Sequence, residues 1–455
     1  MSRLGDKEFY KTLVHLAVPI ALQSLVASSL NMIDAIMVGQ LGEKAIAGVG
    51  IANQVFFLLN LILFGAYSGA SIFASQYWGK GDIGGVRTVL GICLKIGCGI
   101  SLIFTLVCLI FPKHIIGLFN SDPIVIDLGV QFLTINAMSF VIMAISFCYA
   151  ALSRSTGYVK LPMFASIIAL SLNTVLNFLL IEGNLGFPSM GVRGASIATL
   201  ISRIVEALII VLVIYTAKHP VAAGLKELMS FDTDFLRKFI KTTLPVILHE
   251  GLWSLGVTFY TFIYGHMGTP EAAAMNVAAL NIVSNIDRIA LVLFFGLSNA
   301  CAIMVGHKIG EGNKDHAYRD SGRLLIIGPL LGVATSIMLL LSYNSILSLF
   351  HVSADVKHLA AQVLTAMVFV FPIRTFNFVM IVGVARAGGD TKFSLFMEIL
   401  PLWLFAIPLT ALGGLYFNLP LIYVYLLSTT EEFIKASLGL RRYFSRKWIH
   451  NVTHT

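Results

Sequence analysis

Long apolar stretches separated by short polar segments run along the chain from residue 14 to residue 440. A bilayer hydrocarbon core about 30 Å thick takes about 20 apolar residues to cross as a helix. Twelve stretches have that length. In the first half they are 14–38, 48–77, 88–111, 126–151, 161–182 and 194–217. In the second they are 242–265, 276–305, 322–343, 357–384, 393–414 and 419–440. The runs are continuous and lack the alternation of a membrane barrel strand, so they predict helices. Composition leads to the same class. Of 455 residues 57% are apolar and 12% charged, against roughly 25% charged in soluble domains. That excludes a soluble fold and a disordered chain. The expectation is an all-α integral membrane protein. The five cysteines lie in apolar runs without metal-type spacing and read as packing or lipid-phase residues. Residues 1–11 are polar and the first apolar run is long enough to stay in the bilayer, so no cleavable signal peptide is expected.

The net charge of +8 gains meaning from its distribution. With the N-terminus inside, inward segments hold 22 of the 31 Lys and Arg, and outward loops hold only Lys44, Lys113, Arg193 and Lys357. This positive-inside bias predicts that both termini are cytoplasmic and removes the need for a nucleic-acid partner. It also puts the Asn451-Val452-Thr453 sequon on the wrong side for glycosylation.

The chain also repeats itself. Shifted by 226, Asp6, Phe9, Lys11 and Pro19 fall on Asp232, Phe235, Arg237 and Pro245, and Gly39-Gln-Leu-Gly42 falls on Gly265-His-Met-Gly268. Shifted by 231, Gly79-Lys-Gly81 falls on Gly310-Glu-Gly312. Shifted by 232, Arg154 to Lys160 falls on Arg386 to Lys392. The order is kept, so the chain is a duplication. The expected domains are an N-terminal six-helix lobe (1–218), a cytoplasmic linker (219–238) and a C-terminal six-helix lobe with a basic tail (239–455). Six spans return the chain to its starting side, so the lobes relate by a pseudo-two-fold axis along the membrane normal. That architecture suits alternating access. Pro19 and Pro245 predict kinks in the first helix of each copy. The Gly79 and Gly310 segments do not fit a phosphate loop and read as tight turns.

Seven acids lie within spans: Asp34, Glu206, Glu250, Asp287, Glu398, Glu431 and Glu432. Each needs a partner, a wet cavity or a function. Glu206 shares a helix face with Arg203, and Glu431 with Lys435, which predicts structural ion pairs. Glu398 has no local partner. Asp34 and Glu250 have no basic neighbour on their own helices. At 1.5 Å per residue, Asp34 shares a depth with Asn173 and Asn177, four apart on the fifth span, and with Thr199 on the sixth. Carboxylate, amide and hydroxyl oxygens suit a small hard cation such as a sodium ion, and a poorly solvated carboxylate could carry a proton instead. The same four could also simply bond across a helix interface. His249 reads as a packing or locally bonded residue. Asp287 and Arg288 do not share a helix face. Arg374, with Asn377 nearby on the tenth span, is a candidate partner for one of these acids.

Asn31-Met-Ile-Asp34-Ala-Ile-Met-Val-Gly39-Gln-Leu-Gly42, followed by Ala47 to Gln54, resembles the first-helix signature of multidrug and toxic compound extrusion (MATE) transporters. Val305 to Gly312 and Lys447 to Asn451 are similar to the family as well, and the resemblance runs along essentially the whole chain. It implies two six-helix lobes in the inner membrane, acting as a monomer, with sodium or proton entry driving export of small organic, often cationic, compounds. No other cofactor is implied. The family's N-lobe cation site, with sodium as the possible metal, falls on Asp34, Asn173, Asn177 and Thr199. The seventh-helix acid of NorM-like members falls on Glu250. The family's tenth-helix acid is missing here; Arg374 and Asn377 are the polar residues there, and Asp287 on the eighth helix is the candidate substitute.

A cation-coupled antiporter is therefore the leading expectation. The alternative is a lipid-linked precursor flippase of the same superfamily, which would need a more basic cavity than Arg203, Arg288 and Arg374 supply. A membrane-embedded enzyme would need a metal-ligand cluster or an activated nucleophile, and neither HExxH nor GxSxG occurs. The sequence leaves sodium against proton, and the range of substrates, open.

Overall fold

The computed structural model describes residues 7–229, 232–350 and 352–453, apart from the side chain of Asn31. Among them there is no strand. Ten helices are long and apolar enough to cross a membrane: Lys7–Gly39, Glu43–Lys80, Ile83–Ile110, Lys160–Leu180, Val192–Thr216, Thr233–Tyr264, Pro270–Gly310, Lys314–Ser348, Ala354–Ala385 and Thr391–Tyr416. The fourth span is a bent pair, Pro123–Ala137 and Phe140–Ser155, turning by 47°. At the bend the Ser139 hydroxyl donates to the Asn136 carbonyl at 2.6 Å, competing with the helix ladder. The twelfth span is also in two pieces, Leu421–Ser428 and Thr430–Phe444. Its second piece carries Glu431, Glu432 and Lys435, too polar to face lipid all round. Twelve spans in two sets of six are thus the architecture.

The repeat has a physical basis in its turns. Gly81 and Gly312 have φ of 77° and 80°, and Gly157 and Gly389 have φ of 85° and 78°. Each pair closes a helix in the same way. The Gly81 N–H donates to the Trp78 carbonyl and the Asp82 N–H to that of Tyr77, both at 2.9 Å; Gly312 and Asn313 repeat this onto Ile309 and Lys308. These are left-handed helix ends that a side chain would strain. The next helix then starts on a polar cap, Asp82 accepting from the Gly85 N–H and Asn313 from the His316 N–H. The glycine-rich segments are tight turns.

Two compact units emerge, and their boundaries fall inside helices. One unit comprises Leu22–Ile247; the other comprises the chain up to Ala21 together with Leu248 onward. Both changes of unit come two residues after a repeat-matched proline, Pro19 and Pro245. Each unit seats the borrowed half-helix on small residues. In the Leu22–Ile247 unit a methyl at Gly65 would clash with Ile247 and one at Gly69 with Thr243, while Phe73 stacks on Phe239 at 5.5 Å. In the other unit Gly296 takes the part of Gly65, pressing on Ala17 and Ala21. Gly65 and Gly296 are related by the 231 offset, Ala21 and Ile247 by the 226 offset. Small residues let helix backbones approach closely where lipid supplies no hydrophobic drive.

Candidate functional site

The Leu22–Ile247 unit gathers the four residues that sequence depth placed together. Asn177 is fully buried, and its Nδ2 donates to the Asp34 carboxylate and, at 3.3 Å, to Asn173 Oδ1. Asn173 Nδ2 in turn lies 3.4 Å from Thr199 Oγ1, which donates to the Ala195 carbonyl at 3.1 Å. The chain of contacts thus links the first, fifth and sixth spans. Two features matter chemically. Asp34 makes no ion pair with any described residue. Asn177 Oδ1 is buried and accepts no hydrogen bond. A carboxylate and an unpartnered amide oxygen beside a hydroxyl form an acceptor-rich cluster whose donor set fits a small hard cation or a proton. Of the seven span acids, the other one within this unit's first six spans is spent: Glu206 Oε2 accepts from Arg203 at 2.8 Å and Oε1 from Ser166, whose oxygen accepts from Gln23.

The candidates in the second unit do not form one cluster. Arg374 Nη1 donates to Asp287 at 2.7 Å, making the cross-helix pair that sequence suggested. Asn377 is 2% exposed and donates to both the main-chain and side-chain oxygens of Glu432, which also lies 3.9 Å from Arg374. Glu432 was not singled out by sequence as a partner of this pair.

Glu250 belongs to a different strip. Arg386 Nη2 reaches its carboxylate at 2.6 Å and His249 Nδ1 at 2.7 Å. His249 Nε2 is 3.6 Å from Glu398, whose other oxygen accepts from Lys435 at 2.6 Å. Lys435 also sits 3.2 Å from Glu431, the expected pair one turn apart. A tenth span ending at residue 384 leaves Arg386 to a loop, and the family resemblance associates Glu250 with Asp287, Asn377 and Arg374. In the structure Arg386 is 2% exposed and its guanidinium is the partner of Glu250, whereas Asp287, Asn377 and Arg374 are linked through Glu432 and one another. The cause is local. The tenth span widens into i→i+5 turns over Val379–Ala385, so its helix reaches Arg386 before turning at Gly389.

Twelve helical spans in two repeated halves, with acids organised inside each unit, define a multi-pass membrane protein. The chain belongs to the MatE family, whose profile matches residues 19–179 and again 245–412. The two matches begin at the paired prolines, so the duplication read from the sequence is also a duplication of the family domain. Among curated proteins, the uncharacterized transporter YisQ of Bacillus subtilis is 28% identical over 99% of this chain and 97% of its own. A probable multidrug resistance protein NorM of Thermotoga maritima is 26% identical over 97% of this chain and 93% of its own. Among solved structures, an outward-facing multidrug resistance MATE family transporter of the MOP superfamily aligns with a TM-score of 0.87 at 21% identity, covering 98% of both chains. A MOP superfamily transporter from Pyrococcus furiosus, described as having a binding pocket of reverse polarity, aligns with a TM-score of 0.85 at 20% identity over 100% of this chain and 98% of that one. The protein is an efflux transporter.

Proposed function

We propose that the protein is a cation-coupled antiporter that exports small organic, lipophilic cationic compounds by alternating access. It works as a monomer in the inner membrane with both termini cytoplasmic. The observation that carries this reading is the Asp34 carboxylate, held by Asn177 without a basic partner beside an unfilled amide oxygen. A sodium ion or a proton there would neutralise a charge that is costly inside a bilayer. Binding shifts a conformational equilibrium only as far as the ion prefers one state, so a site whose polar partners come from three helices is suited to sense their rearrangement. Asp34 would carry the charge, Asn177 and Asn173 would orient it, and Thr199 would add a hydroxyl oxygen.

The flippase alternative is disfavoured by the cations themselves. Arg203, Arg374 and Arg386 are each committed to a carboxylate, and Arg288 is exposed, leaving little buried positive field for a pyrophosphate. The test is efflux of a lipophilic cationic dye from proteoliposomes under sodium and proton gradients imposed separately. One gradient should accelerate efflux, and Asp34→Asn should reduce it to the ungraded leak while the protein remains folded. Gradient-driven efflux at the original rate in that variant would refute the mechanism.

A further inference from the structure

We propose that Arg386 is a tethered cation occupying the Glu250 carboxylate in place of a mobile ion, so that this unit takes up no coupling cation. The proposal rests on the reading of Asp34 as the coupling site, because it makes that site the sole ion carrier. The geometry is specific. One guanidinium nitrogen, Arg386 Nη2, serves both Glu250 Oε1 at 2.6 Å and His249 Nδ1 at 2.7 Å. That nitrogen has two hydrogens and can serve both partners, while His249 Nδ1 also lies 3.3 Å from Glu250 Oε1 and its Nε2 lies 3.6 Å from Glu398 Oε2. Lys435 then bonds Glu398 at 2.6 Å and lies 3.2 Å from Glu431. Every acid of the strip on the seventh, eleventh and twelfth spans therefore faces a cation supplied by the chain.

Arg386 is not merely near Glu250; its position is fixed from behind. The Gly389 N–H donates to the Arg386 carbonyl at 2.8 Å, closing a left-handed turn. The segment after the last helix is clamped on that turn. The His450 N–H donates to the Gly388 carbonyl at 2.7 Å, and a side chain at Gly388 would strike the carbonyl and ring of the fully buried Trp448. Arg442 adds a 2.6 Å bond to Asp390. An ion competing for Glu250 must displace a guanidinium held at an effective concentration on the order of millimolar or above. Its hydrogen bonds are charge-assisted and buried, and therefore strong. The chemical class excluded is any monovalent cation small enough to bind a single carboxylate.

The test uses the purified full-length chain and two readouts, so that either ion registers: thermal stabilisation by sodium chloride against choline chloride, and proton uptake in an unbuffered indicator solution. Asp34→Asn should remove the cation response of the parent protein. Adding Arg386→Gln to that variant should restore a response, and adding Glu250→Gln as well should remove it again. A restored response is a gain that misfolding cannot produce. Trp448→Ala in the Asp34→Asn background should restore a weaker response by loosening the turn, and Trp448→Phe should not. A cation response persisting in Asp34→Asn alone, or none on adding Arg386→Gln, would overturn the proposal. If the parent protein shows no response, the Asp34 reading fails, and the Arg386→Gln arm still decides this one.

Discussion

Asp34 and Glu250 are both carboxylates on the opening helix of a repeat, and neither has a Lys or Arg within a turn of it on that helix, yet their surroundings differ in kind. Asp34 accepts from a neutral amide and makes no ion pair with any described residue. Glu250 is closed by a buried guanidinium that the chain itself provides. Duplication produced two similar frames, and the side chains then divided the work. A buried ion pair is weak grounds for stability but breaks at high cost when one member is removed. An isolated carboxylate costs the fold something at all times and can lose its charge cheaply. On the proposed reading, the same residue type serves exchange in one unit and architecture in the other.

The sharpest way to break this contrast is to remove one charge from each unit. Lys435→Met strands Glu398 and Glu431 side by side and should destabilise by about 3–5 kcal/mol. Asp34→Asn should leave thermal unfolding in detergent almost unchanged. Equal losses would erase the distinction. A smaller effect tests the open site more finely. Asn177→Leu removes the amide that holds Asp34 and should weaken apparent coupling-ion affinity roughly tenfold, about 1.4 kcal/mol, in ion-dependent efflux. Gly81→Ala and Gly312→Ala probe what the halves still share. Each forces a side chain into a left-handed turn and should cost about 1 kcal/mol, with matching losses in both halves by unfolding midpoint.

The gentlest perturbation concerns the loop after the sixth span, outside the membrane segments. His219 is buried there against the Tyr158 ring, 4.0 Å between centroids, and accepts from the Val221 N–H at 3.3 Å. Burial pushes its imidazole down to about 4, below the ordinary value of 6.5. The unfolded loop therefore takes the proton first. Stability should fall as pH drops from about 6.5 to about 4 and level off below that. Hydrogen exchange over residues 217–224 should quicken across this window, and His219→Phe should flatten it.

The parts legible in the sequence were those that depend on spacing along one helix or on length. The spans, the repeat, the Arg203–Glu206 and Glu431–Lys435 pairs, and the shared depth of Asp34, Asn173, Asn177 and Thr199 all follow from 1.5 Å per residue and a 3.6-residue turn. What escaped depends on how helices meet. Arg386 looks like one more inward-loop cation, because hydropathy ends the tenth span just before it, and only the widened turns over Val379–Ala385 carry the helix on. Its signal was nevertheless present, since Arg386 is the repeat mate of Arg154. The Glu398–Lys435 and Asn377–Glu432 contacts join residues 37 and 55 apart on different spans, where no periodicity can pair them.

The change of unit just past Pro19 and Pro245 also bears on how the gene could be divided. A cut in the connector near residue 230 would give two polypeptides, neither holding a complete compact body. The first would lack the Thr233–Ile247 stretch that seats on Gly65 and Gly69, and the second the Lys7–Ala21 stretch that seats on Gly296. Each fragment would be an obligate complement of the other, so co-expression should rescue both and solitary expression neither.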